Sequence, residues 1–183
     1  MRALISLIVL CTTLSVSTQD FPRVVKTGYA KYDIVFSEAQ QNAVNEFQAN
    51  NKKLTLLIDD DYGANIDGDI EAYMEQGLMQ HRYAAWGDFN KDSFGDFMLV
   101  YVYADASENS YHPKGYVYNL VIFEGYENES YTPTTIHKER SGIIDGITYD
   151  KANNVIIFSN FDVAGGSIEW LDKKYKVTEM IGD

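Results

Sequence analysis

Trp86-Gly87-Asp88-Phe89-Asn90-Lys91-Asp92-Ser93-Phe94-Gly95-Asp96-Phe97-Met98-Leu99-Val100 contains a strand end, an acidic loop from Asp88 to Asp96, and the start of an apolar strand. Oxygen-bearing side chains recur at Asp88, Asn90, Asp92 and Asp96. A hard cation such as Ca²⁺ takes about six to eight oxygens at roughly 2.3–2.6 Å. A tight loop can turn alternate residues inward together. Those side chains with the Phe94 carbonyl supply most of such a shell, and water completes it. Three carboxylates in so small a volume repel one another unless a cation sits between them. An EF-hand is excluded, because its twelfth position must be a bidentate Glu and here it is Leu99. Strand patterns flank the loop where an EF-hand has helices, so the site is strand–loop–strand.

Outward from this loop the chain continues to read as short strands, rich in Val, Ile, Tyr and Phe and punctuated by Gly, Asn and Asp. They are expected at Lys53–Ile58, Arg82–Trp86, Phe97–Ala104, Tyr116–Glu124, Thr134–Lys138, Ile143–Tyr149, Val155–Asn160, Ser167–Leu171 and Tyr175–Met180. Asp150-Lys151-Ala152-Asn153-Asn154 and Asp172-Lys173 read as hairpin loops, and successive hairpins favour an antiparallel meander. Two segments read as helices. Ser37-Glu38-Ala39-Gln40 is a capping box; Ala39, Ala43, Val44 and Phe47 then share a face, and Asn50 closes the helix. A second helix starts near Asp67 or Asp69, carries Ile70, Tyr73, Met74 and Leu78 on one face, and ends at Gly77. The expected fold is α+β: antiparallel β-meander sheets with two helices in the N-terminal half. Its core should include Phe47, Leu56, Ile58, Trp86, Leu99, Val121, Ile156, Phe158 and Trp170.

At the start of the chain, Arg2 precedes the apolar run Ala3–Leu10, which is followed by Thr12, Thr13, Ser15, Ser17 and Thr18. A positive charge, a short apolar run and small residues are the layout of a cleavable signal peptide. Residues 1–17 are assigned to it, with cleavage after Thr18 as the neighbouring alternative, and 18–183 to one globular domain. The run is shorter than the roughly 20 residues a spanning helix needs, so no membrane span is expected. Cys11 is the only cysteine and would leave with the signal, so the mature domain has no disulfide and a metal would substitute as a staple. Lipidation is not expected, because Leu10 stands before Cys11 where a small residue is needed. The net charge of −12 repels phosphate backbones, which argues against nucleic acid and for basic proteins or divalent metals as partners.

The loop also resembles the FG-GAP or VCBS-type repeat, with a core of roughly Asp-x-Asn-x-Asp-Gly-x-x-Asp after Gly-Asp-Phe and before an apolar strand. Gly87-Asp88-Phe89-Asn90, Asp92, Asp96 and Phe97-Met98-Leu99-Val100 match. The resemblance implies a calcium ion held by Asp88, Asn90, Asp92 and Asp96, with Phe94 contributing its backbone. Ser93 stands where the family has Gly, at a turn favouring positive φ, and Gly95 is expected to take up part of that turn. A weaker similarity over Val155–Val177 looks like the closing part of small bacterial proteins with one such loop. The family builds propellers from many copies; one copy here predicts no full propeller.

A second acidic group, Asp59-Asp60-Asp61 with Asn65, Asp67 and Asp69, reads either as another cation site or as a helix cap and solvated turn. His81, His112 and His137 lack zinc-site spacing, and no nucleophile elbow, phosphate loop or dinucleotide glycine pattern is present. The expectation is a secreted or periplasmic, acidic, calcium-binding and non-enzymatic binding module, monomeric until it meets a protein partner, as an envelope inhibitor or immunity protein would. The alternatives are an extracellular adhesion module that binds a glycan and, further off, a secreted hydrolase.

Overall fold

A computed structural model describes residues 20–28, 31–57, 68–104, 116–139, 144–160 and 164–181. The expected signal segment, Ile58, Asp59–Asp61, Asn65, Asp67 and His112 lie outside the described residues. The chain opens with a hairpin, β1 (Arg23–Gly28) paired antiparallel to β2 (Lys31–Val35). Neither strand was expected from the sequence. Arg23, Val25, Lys26 and Thr27 are all exposed, so the segment lacks the alternation that marks a half-buried strand.

Helix α1 (Glu38–Asn50) follows, with the expected capping box: the Ser37 N–H donates to Gln40 Oε1 at 2.9 Å, and the Gln40 N–H donates to Ser37 Oγ at 3.3 Å. At its other end the Asn51 side chain donates to the Phe47 carbonyl at 2.9 Å. Helix α2 (Gly68–Glu75) ends as expected at Gly77, whose φ is 70°. The Leu78 N–H reaches the Tyr73 carbonyl and the Gly77 N–H reaches the Met74 carbonyl, the paired bonds of a Schellman motif. Of the face expected on this helix, Tyr73 is 47% exposed and Leu78 57%, while Met74 is half-buried. Leu78 lies past the last turn, in the cap itself.

The central sheet contains β3 (Thr55–Leu56), β4 (Ala84–Gly87), β5 (Asp96–Ala104), β6 (Tyr116–Gly125) and β7 (Tyr131–Glu139). β3 and β4 share one edge of β5: β4 pairs with Asp96–Leu99, and β3 with Tyr101 and Val102. The second sheet is a meander of β8 (Ile144–Asp150), β9 (Val155–Asn160), β10 (Ala164–Leu171) and β11 (Lys174–Ile181). All these pairings are antiparallel; the described residues form no propeller, as expected, and no closed barrel.

The layers explain the near-continuous apolar runs of β5 and β6. Met98, Val100, Val102, Leu120 and Ile122 face the second sheet, where Ile147, Ile156, Phe158 and Ile168 meet them. Phe97, Leu99, Tyr101, Val121 and Phe123 face the other way, onto Val44 and Phe47 of α1. Phe97 and Phe123 stack with centroids 4.6 Å apart. A strand covered on both faces has no polar side to alternate with. Of the expected core, Phe47, Leu99, Val121, Ile156 and Phe158 are buried, while Leu56, Trp86 and Trp170 are half-buried.

Candidate metal-binding loop

β4 and β5 pair in the register Gly87↔Asp96 and Trp86↔Phe97, so the acidic loop is the connection between two paired strands. Its backbone is turned at Lys91 (φ 61°) and Ser93 (φ 77°). Ser93 therefore takes the left-handed conformation itself, and Gly95 does not share it, contrary to expectation. Gly95 sits in a tight space: a β-carbon there would lie about 3.0 Å from the Phe21 ring, which would have to give slightly.

Each acidic side chain is tied to the loop's own amides. Asp88 accepts from the Asp92 N–H through Oδ1 and from the Ser93 N–H through Oδ2, both at 3.0 Å. Asn90 Oδ1 accepts from the Asp92 N–H at 3.0 Å, and Asp92 Oδ1 from the Phe94 N–H at 2.9 Å. The Asn90 side-chain amide donates to Asp92 Oδ2 at 2.9 Å. Asp92 is exposed, Asp88, Asn90 and Phe94 are half-buried, and Asp96 is fully buried.

Asp96 occupies the base of the loop. Its Oδ2 accepts from the Phe89 N–H at 2.9 Å, and its Oδ1 from the Gly125 N–H at 3.0 Å, at the end of β6. Burial pushes its carboxyl up to about 7; the Gly125 and Phe89 amides pull the other way, and the nearby Asp92 charge adds to the rise. Gly125 was not anticipated as part of the site. A β-carbon there would collide with the Gly95 carbonyl, so only glycine lets β6 approach the loop this closely.

As they stand, no three Asp, Glu, His or Cys side chains among the described residues group closely enough to hold a metal ion. The donor chemistry is nonetheless that of a hard-cation site: carboxylates and an amide oxygen, without nitrogen or sulfur ligands. An ionised carboxylate has about four lone-pair positions, so one N–H on each oxygen leaves others for a cation. Of the second acidic group, only Asp69 lies within the described residues, in the first turn of α2. The described histidines are remote from the loop in their bonding. His81 is buried, accepts from the Tyr83 N–H at 3.1 Å, and has Nε2 3.3 Å from the Tyr32 carbonyl. His137 lies 4.0 Å from Glu179 on β11.

Two clefts flank the loop. One, of about 200 Å³, shares Phe94 and Gly95 with it; Asp20, Glu38, Glu127 and Glu129 line it, and among the described residues no Lys or Arg does. The other, of about 530 Å³, shares Gly87 and Asp88, and Phe21, Trp86 and Tyr149 give it aromatic walls. No family model matches the chain, nor does any curated protein or solved structure. The likeness to FG-GAP loops therefore rests on the loop residues themselves.

Proposed function

We propose that the protein is an exported, acidic, non-enzymatic binding module whose fold Ca²⁺ stabilises through Asp88, Asn90, Asp92, Asp96 and the Phe94 carbonyl. The observation that carries this reading is Asp96. A buried carboxylate at the base of an oxygen-rich loop is costly as an anion, and a cation bound among Asp88, Asn90 and Asp92 offsets that cost. The acid-lined cleft beside the loop supports a basic protein partner, as an envelope inhibitor or immunity protein would have, because complementary charge steers association. The aromatic cleft on the other flank favours a second reading, a glycan ligand, since aromatic walls with a few polar groups suit a sugar ring.

Calorimetric titration of the mature protein with Ca²⁺ and Mg²⁺, after chelator treatment, tests the metal. Binding to the folded state alone stabilises by about 2.7 kcal/mol at a hundredfold excess over Kd. For a domain of this size that raises the Tm by roughly 5–10 °C. A Tm that does not move in millimolar Ca²⁺ rejects the reading. Capture of a basic envelope protein, set against a glycan panel, separates the two partners.

A further inference from the structure

We propose that the β8–β9 hairpin of the second sheet is a clasp that sets the geometry of the acidic loop, with Asn154 and Tyr149 as positioning residues for its cation. The inference rests on the calcium reading above.

Asp150 holds the turn of this hairpin, its Oδ1 accepting from the Ala152 and Asn153 N–H groups at 3.0 and 3.2 Å and its Oδ2 from the Asn153 side chain at 2.7 Å. The turn delivers Asn154 in the left-handed conformation, with φ 57°. From there its side chain leaves its own sheet: Nδ2 donates to the Phe89 carbonyl at 3.0 Å. The Tyr149 hydroxyl donates to Asn154 Oδ1 at 2.7 Å and lies 3.5 Å from the Asp88 carbonyl oxygen. The Tyr149 ring packs edge-on against Phe89, centroids 5.0 Å apart, and rests where any β-carbon on Gly87 would collide with it.

The Phe89 carbonyl and the Asn90 N–H belong to one planar peptide group. Asn154 holds the carbonyl end, while the Asn90 N–H bears on the Asp96 carboxylate. The clasp thus fixes the carbonyl end of the peptide from which Asn90 projects, and Asp96 takes the other end. It also seats Phe89 in the layer between the sheets, where it is 2% exposed. Partners that orient the ligands of a metal typically change affinity by about 10–100-fold when lost.

Asn154→Gly keeps the left-handed backbone and removes the side chain with its amide; Tyr149→Phe removes only the hydroxyl. Both are titrated with Ca²⁺ beside the wild type, and all three are melted in chelator. The proposal expects Asn154→Gly to weaken Ca²⁺ binding about tenfold and Tyr149→Phe to weaken it by a smaller factor. Tm values in chelator should stay close to wild type. If the wild type binds and both variants bind within about twofold of it, with Tm lowered equally in calcium and in chelator, the hairpin is ordinary packing and the proposal is overturned. A wild type that binds no Ca²⁺ overturns the calcium reading itself, and the clasp with it.

Discussion

Asp92 and Asp96 stand four residues apart in one loop, yet their removal should read out differently. Asp92 is exposed and accepts from the Phe94 N–H and the Asn90 side chain, groups that water can take over. Asp92→Ala should therefore change the Tm in chelator by the equivalent of less than about 1 kcal/mol, while the upward shift in calcium is largely lost. Asp96→Ala instead strands the Phe89 and Gly125 N–H groups, each costing about 1–3 kcal/mol if left without a partner in the interior. It should melt lower in both conditions. The Asp96 carboxyl also gives the metal-free protein a pH signature. Its folded value is raised from 3.8 to about 7, so between those values the folded chain holds a proton that the unfolded chain has released. This contribution to stability is complete below about pH 4 and is lost as the pH rises through about 7. In chelator, the Tm should fall between about pH 5 and pH 7.5, less steeply in Asp96→Asn. The Tm increment from calcium should be larger at the higher pH, where no proton has to leave. Tm measured across pH, with and without calcium, checks both statements.

Element by element, short-range signals carried over best. The capping box of α1 is visible in four consecutive residues, and Ser37→Ala should lower stability by about 1 kcal/mol in a denaturant melt. Asp172-Lys173 turns between β10 and β11 as its spacing predicted, with φ of 51° and 61°. Two left-handed residues make the hairpin turn that fits sheet twist, but lysine is a poor occupant of that conformation. Lys173→Gly should raise stability by roughly 0.5–1 kcal/mol, read from the same melts. The signals that failed are those that need a distant partner. Tyr149 and Asn154 reach the loop across some sixty residues of chain, and nothing local distinguishes them from any hairpin Tyr and Asn. Gly125 sits at the end of an apolar strand, where its closeness to Gly95 has no sequence mark. The β1–β2 hairpin escaped for the opposite reason, being too exposed to leave a periodic trace.

For the whole molecule, the three layers, α1 on the central sheet and the central sheet on the meander, place β5 and β6 at the centre. Their apolar runs were legible as strands, but burial on both faces follows only from what packs against them. Amide hydrogen exchange should accordingly be slowest along β5 and β6 and fastest in β1 and β2. The same layering has a temporal side. Synthesis proceeds from the N-terminus at about 5–20 residues per second. Once β6 is made, roughly 3–10 s pass before β11 is complete. Through that interval the cover over Met98, Val100, Val102, Leu120 and Ile122 is incomplete, because the strands of the second sheet all lie later in the chain. A message cut short ahead of β8 should therefore yield an aggregate instead of a smaller folded domain.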